Sequence, residues 1–201
     1  KTILNHEYIK NSITKNNGKD DVKYRWSHGA TDKHLGDGMI IYSMMYFFKP
    51  TISVCLGSGG GYIPRIMWSC ISDLEQENFN TDDSRVILVD AVNGVNGHPD
   101  WTDKNSFYRK KFLSEWLHTT TEEAYYEFFV KRDMKIDLLW VDADHTFEGV
   151  KKDFDLYSQI LSDNGIVMIH DTDKKYVENF VETKEHEDYD LSGPSEFIKT
   201  L

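Results

Sequence analysis

The sequence predicts an α/β domain built on a doubly wound, mostly parallel sheet with helices on both faces. Three observations carry that prediction. Short apolar runs of four to six residues recur at Ile52–Leu56, Val86–Val89, Ile136–Val141 and Ile166–Ile169, with helical patterns between them. Strands apolar on both faces belong to parallel sheets covered by helices on each side. Each run also ends on residues with chemistry: the loop Gly57-Ser58-Gly59-Gly60-Gly61, then Asp90, then Asp142 with His145, then His170-Asp171. In open α/β sheets, ligands bind beyond the C-terminal strand ends.

The elements follow in chain order. Residues 1–50 are polar and mixed and read as an N-terminal helical or lid segment on the core. Their one apolar helical pattern, Met39 to Phe48, stops at Pro50. Ile52–Leu56 is a β-rich strand, and the glycine loop after it opens a helix from Tyr62 to Leu74. Val86–Val89 is a second strand, Asn105 to Phe112 reads as helix, and Glu115 to His118 as a short edge strand. Thr120 and Glu123 have capping-box spacing and open a helix through Ala124 to Arg132. Ile136–Val141 is a clear strand. Phe147 to Leu161 carries Val150, Phe154, Tyr157 and Leu161 on one helical stripe. Asn164-Gly165 turns the chain into Ile166–Ile169, and Ser192-Gly193-Pro194-Ser195 starts a short helix.

Composition and charge narrow the class. The 201 residues, 39% hydrophobic and 13% aromatic, suffice for one domain with a core. Met39–Phe48 is about half the length of a membrane span, and no signal-like segment stands at the N-terminus. Twenty-three basic residues against 34 acidic ones give a net charge of −11. Such a surface argues against nucleic acid and anionic membrane as partners and leaves a small-molecule ligand as the expected one. Cys55 and Cys70 read as reduced core residues of a cytoplasmic protein. The chain begins at Lys1 rather than Met, so a start upstream of it is expected. A homo-oligomer is left open.

The strand ends suggest a site. Glycines at 57, 59 and 61 permit a tight turn and close backbone approach to a ligand, although a plain glycine turn explains them too. Asp90 stands where an acid accepts hydrogen bonds from a ribose diol in Rossmann-like folds. The pair fits an adenosine-containing cofactor without separating a nicotinamide dinucleotide from S-adenosylmethionine. Two neighbouring strand ends then present acid plus imidazole, Asp142-Ala143-Asp144-His145 and His170-Asp171-Thr172-Asp173. Carboxylates and an imidazole around an open side suit a divalent cation, and a further His can take a proton from a hydroxyl. Helix-capping acids and a solvated histidine are the alternative.

The run Ile136–Val141 followed by Asp142-Ala143-Asp144-His145-Thr146-Phe147-Glu148-Gly149-Val150-Lys151-Lys152-Asp153-Phe154, then Asn164-Gly165 to Thr172, resembles class I S-adenosylmethionine-dependent methyltransferases. Within them it is similar to the branch with the sugar O-methyltransferases of macrolide biosynthesis. The resemblance spans roughly Thr51 to Thr172, and Thr31-Asp32-Lys33 resembles a short motif ahead of the core. It implies that residues 51–201 form an S-adenosylmethionine-binding methyltransferase domain acting on a hydroxyl of a small, sugar-like acceptor. It implies that Gly57, Ser58, Gly59 and Gly61 wrap the methionine part of the cofactor, that Asp90 holds the ribose and that Thr120 contacts the adenine. It further implies magnesium or another divalent cation on Asp142, His170 and Asp171, with His145 as base. At the usual imidazole pKa of ~6.5, that base would become competent through mildly acidic pH.

Three departures from the family pattern stand out. Cys55 occupies a position often acidic in this fold, and His170 stands where an acid is commoner. After the fifth strand the stretch Glu182 to Asp190 is acidic and poor in strand formers, so the sheet is expected to lack the usual C-terminal hairpin, unless the natural chain continues past Leu201. A nicotinamide-dependent oxidoreductase needs only the glycine loop and Asp90 and leaves the second half of the site without a role. A methyltransferase-fold binding protein without activity is the other alternative. The long loop Ala91 to Asn105, with Asn93, His98, Trp101 and Asp103, is a candidate for acceptor specificity.

Overall fold

A computed structural model describes residues 15–16, 19–20, 28, 35–57, 61–91, 104–105, 107–173 and 192–201. Among these residues, five strands form one sheet: β1 (Ile52–Leu56), β2 (Arg85–Val89), β3 (Glu115–Leu117), β4 (Ile136–Val141) and β5 (Leu161–Ile169). Their spatial order is β3-β2-β1-β4-β5, and every pairing in it is parallel. The order reverses between β1 and β4, which is where such sheets open a crevice for ligands. The segments Lys15–Asn16 and Lys19–Asp20 make a separate antiparallel pair.

Among the described residues, six helices connect and cover the strands: α1 (Asp37–Phe48), α2 (Tyr62–Gln76), α3 (Phe107–Phe112), α4 (Thr121–Ala124), α5 (Phe147–Tyr157) and α6 (Gly193–Phe197). Alternate residues of each strand face opposite sides. Cys55, Val86, Leu88, Leu138 and Trp140 pack with Ile41, Met45, Ile63, Ile66 and Phe112, so α1, α2 and α3 cover one face. Val54, Leu56, Ile87, Val89, Leu139 and Val141 pack with Ala124, Val150, Tyr157 and Phe197, so α4, α5 and α6 cover the other. That two-sided burial is why the strands read as apolar runs. Asp137, which interrupts the apolar run of β4, has a structural task at the opposite edge of the sheet. Its carboxylate accepts from the backbone N–H groups of Thr51 and Ile52 at 3.0 and 2.9 Å, and from the Ser162 hydroxyl at 2.6 Å.

Several boundaries differ from the sequence reading. The helix after Thr146 ends at Tyr157, a 3-10 turn spans Ser158–Ile160, and Leu161 already starts β5 instead of closing the helical stripe. Ile136 pairs with Leu161 while Leu138 pairs with Ile166, so Asn164-Gly165 sits in an irregularity of one strand rather than in a turn before it. Local turn chemistry loses there to the pull of the β4 ladder. The helix expected through Arg132 is α-helical only to Ala124 and continues as a π turn (Tyr125–Phe129) and a 3-10 turn (Val130–Arg132). Cys55 and Cys70 are buried and unbridged. Among the described residues, no helix is long and apolar enough to cross a membrane. The segment in which a C-terminal hairpin would fall, 174–191, lies outside the described residues.

One buried charge bears on stability. Asp153 on α5 is buried; the Thr121 hydroxyl donates to its Oδ1, and Oδ2 has no hydrogen-bond partner among the described residues. Burial pushes its carboxyl up to about 6 despite that bond. The folded state then keeps a proton that the unfolded chain releases near ~3.9, so stability falls as pH rises through that window. Asp153→Asn removes this dependence. Relative to the parent chain, the variant should gain up to about 3 kcal/mol between pH 4 and pH 7.5, a two-unit shift being worth that order. Urea unfolding of both proteins at the two pH values measures it, and an equal difference at both would overturn the assignment.

Candidate functional site

The strands end flush. Leu56 is in register with Val89 and with Val141, Val89 with Leu117, and Val141 with Ile169. The ladder then continues one step past each end. Gly57 N–H donates to Val89 O at 2.8 Å, Asp90 N–H to Leu117 O at 3.1 Å, Asp142 N–H to Leu56 O at 2.9 Å and His170 N–H to Val141 O at 3.1 Å. Asp90, Gly57, Asp142 and His170 therefore stand in one row along the sheet edge, held by backbone bonds before any side chain contributes.

Gly57 sits at the centre of that row with φ 73, and a Cβ on it would lie 2.1 Å from the Asp142 carbonyl oxygen. Both conformation and space require glycine there. The Cys55 thiol is buried and donates to Gly57 O at 2.9 Å. Burial pushes that thiol well above its usual range, so it acts as a weak neutral donor. Gly61, with φ 79, is the left-handed residue from which α2 starts. Asp90 is buried at the end of β2. Thr120 caps α4, its hydroxyl accepting from Glu123 N–H at 3.2 Å, while the Glu123 carboxylate takes the Thr119 hydroxyl rather than completing a capping box. Ser58, Gly59, residues 92–103 and Thr31-Asp32-Lys33 lie outside the described residues.

On the other side of Gly57 the chain assembles a cluster of carboxylates and imidazoles. Asp142 Oδ1 lies 3.3 Å from His145 Nε2 and 3.1 Å from His170 Nδ1. Asp171, with φ 54, closes the ring: its Oδ2 is 3.0 Å from His145 Nε2 and its Oδ1 3.2 Å from His170 Nδ1. The structure adds two residues that no local pattern announced. His28 Nε2 donates to Asp142 Oδ2 at 3.1 Å, and His170 Nε2 donates to Asp37 Oδ2 at 3.2 Å. Asp37 precedes the apolar pattern that the sequence shows from Met39 and proves to lie in the first turn of α1, and His28 lies in a polar stretch without periodicity. Rings wall the cluster: His28 stacks on Tyr62 at 5.7 Å, and Trp140 lies 5.2 Å from His170.

Helix capping does not account for Asp142. Thr146 caps α5, accepting from Gly149 N–H at 3.0 Å, and Asp144 accepts from Thr146 N–H at 2.9 Å. The loop between β4 and α5 is pinned from outside as well. A Cβ on Gly193 would stand 2.3 Å from the His145 carbonyl oxygen, so α6 abuts the backbone that carries His145.

Electrostatics in the cluster run against the isolated-residue values. Burial alone would raise the acids and lower the imidazoles. For Asp142 the bonds from His145, His170 and His28 outweigh it and hold the carboxyl well below the usual range. Asp171 is lowered in the same way by His145 and His170. Burial pulls His145 down, yet Asp142 and Asp171 push it up to about 10, and His170, with Asp142, Asp171 and Asp37 around it, reaches about 12. The ordinary value expected for His145 therefore does not hold among these side chains. One donor atom from each of Asp142, His145, His170 and Asp171 lies within 4.8 Å of the other three, a set of oxygens and nitrogens that fits a divalent cation.

Residues 54–172, more than half of the chain, match the profile of a family described as a methyltransferase domain. No curated protein sequence matches the chain. Solved structures with a similar fold include an O-methyltransferase from Bacillus cereus in complex with SAH, at a TM-score of 0.60 and 11% identity, over 87% of this chain and 70% of that one. The O-methyltransferase TomG from Streptomyces achromogenes, in complex with SAM, aligns at a TM-score of 0.57 and 11% identity, over 82% and 67%. CalS11, a TDP-rhamnose 3'-O-methyltransferase of calicheamicin biosynthesis, aligns at 0.53 and 14%, over 82% and 69%. At these identities the likeness is one of fold.

The cluster has a measurable signature without any cation. Raised imidazoles contribute stability that is full below ~6.5 and lost as pH rises through about 10 and about 12. Depressed carboxyls contribute stability that is present above ~3.9 and lost as pH falls below it. The cluster therefore stabilises most between ~4 and ~6.5. In chelator-treated protein, the imidazole proton resonances of His145 and His170 should show no midpoint between pH 5 and 8, and Asp142→Asn should bring both midpoints down toward ~6.5. Midpoints near that value in the unaltered chain would overturn the geometry.

Proposed function

This chain belongs to the methyltransferase-domain family, and from that premise we propose that it transfers a methyl group from S-adenosylmethionine to a hydroxyl oxygen of a small, sugar-like acceptor, with a divalent cation at the cluster. One observation supports the reading above the others. A single row of strand ends carries Gly57 and Asp90 on one side of the β1–β4 reversal and the carboxylate–imidazole cluster on the other. A cofactor half and an acceptor half thus adjoin at the place where such folds bind ligands. The names of the solved relatives agree with both halves, two being complexes with SAM or SAH and one acting on TDP-rhamnose. A nicotinamide oxidoreductase would use the first half and leave the second idle.

In this reading Gly57 and Gly61 let the cofactor approach the backbone, and Asp90 accepts hydrogen bonds from ribose hydroxyls. When bound, S-adenosylmethionine supplies an electrophilic methyl group on a sulfonium sulfur. For transfer of that methyl to an acceptor hydroxyl oxygen, with the C–S electron pair left on sulfur, His145 Nε2 would take the hydroxyl proton. Asp142, His170 and Asp171 would hold the cation, whose charge polarises the acceptor hydroxyl and offsets the carboxylates that otherwise keep His145 protonated. The walls formed by Tyr62, His28 and Trp140 exclude water from that side. Two unbridged buried cysteines suit a reducing compartment, so we place the protein in the cytoplasm.

Asp90→Ala should weaken S-adenosylmethionine binding at least tenfold, since each charge-assisted hydrogen bond to the ribose is worth ~1.5–3 kcal/mol. Calorimetry reads this, and an unchanged Kd would reject Asp90 as the ribose acceptor. His145→Ala should lower turnover ~10²–10⁴-fold while cofactor affinity stays nearly constant. A screen of nucleotide-sugar acceptors with excess chelator in one arm tests the remainder. Full activity under chelation removes the cation from the reading, and binding of NAD in place of S-adenosylmethionine removes the reading itself.

A further inference from the structure

We propose that Asp37 makes His170 a metal ligand, and that the resulting carboxylate–imidazole–cation relay selects a borderline transition metal, of the manganese, cobalt or zinc kind, over magnesium. This deepens the cation part of the function proposed above and rests on it.

The geometry comes from the two ends of one ring. An imidazole ligates through one nitrogen only if the other carries the proton and has somewhere to donate it, and metal-binding histidines commonly donate it to a carboxylate. His170 is placed this way. Its Nδ1 enters the cluster, 3.1 Å from Asp142 Oδ1 and 3.2 Å from Asp171 Oδ1, while Nε2 leaves it and lies 3.2 Å from Asp37 Oδ2. A carboxylate accepts and does not donate, so Asp37 holds the proton on Nε2, and a cation entering between Asp142 and Asp171 would displace the Nδ1 proton and take the lone pair it frees. The ring cannot swing away, with the His28 ring at 4.7 Å and Trp140 at 5.2 Å. Asp142 has an outer partner too. His28 Nε2 donates to its Oδ2 at 3.1 Å and leaves Oδ1 for the cluster. Both inner groups therefore have a second residue that orients them, and both second residues lie ahead of the segment that matches the family profile.

The identity of the cation follows from donor chemistry. Magnesium favours carboxylate, carbonyl and water oxygens, and imidazole suits the later first-row divalent ions. An acid in place of His170 would favour magnesium. A histidine there, oriented by Asp37, favours an ion that accepts nitrogen. The same distances also fit a self-neutralising lattice of ion pairs with His170 doubly protonated, and metal affinity separates the two.

The test uses the untagged full chain, stripped with chelator and titrated with Co²⁺, Mn²⁺, Zn²⁺ or Mg²⁺. Heat reports affinity, visible absorption reports ligand binding to cobalt, and S-adenosylmethionine affinity is measured on the same samples. The expected result is one Co²⁺ per chain bound at least ~10-fold more tightly than Mg²⁺, with a ligand-field spectrum that shows nitrogen donation. Asp37→Ala should weaken Co²⁺ by about 10–100-fold, the usual cost of losing an outer partner, with Asp37→Asn in between and cofactor affinity unchanged in both. Should the alanine variant fail to fold, the asparagine variant carries the comparison. Magnesium bound as tightly as cobalt, or cobalt affinity unmoved by either substitution, overturns the relay. Binding of no cation overturns it together with the cation part of the function. Failure of the methyl-transfer reading appears separately, as samples that hold cobalt and do not bind S-adenosylmethionine.

Discussion

The flush register of the parallel strands is the constraint on which the rest of this structure depends. Leu56, Val89, Val141 and Ile169 end their strands side by side, and one further round of backbone bonds ties down the residues that follow. Backbone ladders are rigid and cooperative, so Gly57, Asp90, Asp142 and His170 start from fixed Cα positions. A shift of one residue in β5 against β4 would send His170 to the opposite face and dissolve the cluster. The irregularity between Leu161 and Ile166 matters for the same reason. It absorbs the mismatch at the start of β5, so the end of that strand stays in step.

Steric closeness does the next share. Gly57 lets the Asp142 backbone approach to a distance no side chain would tolerate, and Gly193 does the same for α6 against the loop that carries His145. The two contacts hold the β4–α5 loop from its start and from outside. Tertiary packing, more than local preference, therefore sets where Asp142 and His145 point.

The cluster itself shows desolvation and pairing in competition. Carboxylates and imidazoles removed from water would lose their charges in isolation. Here they alternate, Asp37, His170, Asp142, His145 and Asp171 along one path with His28 at its side, and the mutual attraction outweighs the cost of burial. The net gain in stability is small beside the attraction itself, because desolvation offsets much of that attraction. The arrangement is strong as a means of fixing geometry, since each group is held by at least one opposite charge. A cation entering it would replace protons, and a set of ligands already oriented costs little to bind it.

Much of this was legible in the sequence, and the residues show where legibility ended. Ile52–Leu56, Val86–Val89 and Ile136–Val141 read as buried parallel strands because both faces are covered, and the acids and histidines after them read as a site because strand ends share an edge. Those are local signals that a chain carries in its own periodicity. The sequence could not place Asp37 and His28 beside His170 and Asp142, because nothing within a helical turn or a strand period links residues so far apart. Nor did it indicate that His145 would leave its ordinary protonation range, since an imidazole's charge depends on which carboxylates surround it. Thr120 announced its cap, but not that the helix behind it would widen into a π turn. The positions of the strands along the chain and the chemistry at their ends were determined by pattern. Which charges meet, and in what state, was decided by packing, because electrostatics acts through space and the sequence is written along a line.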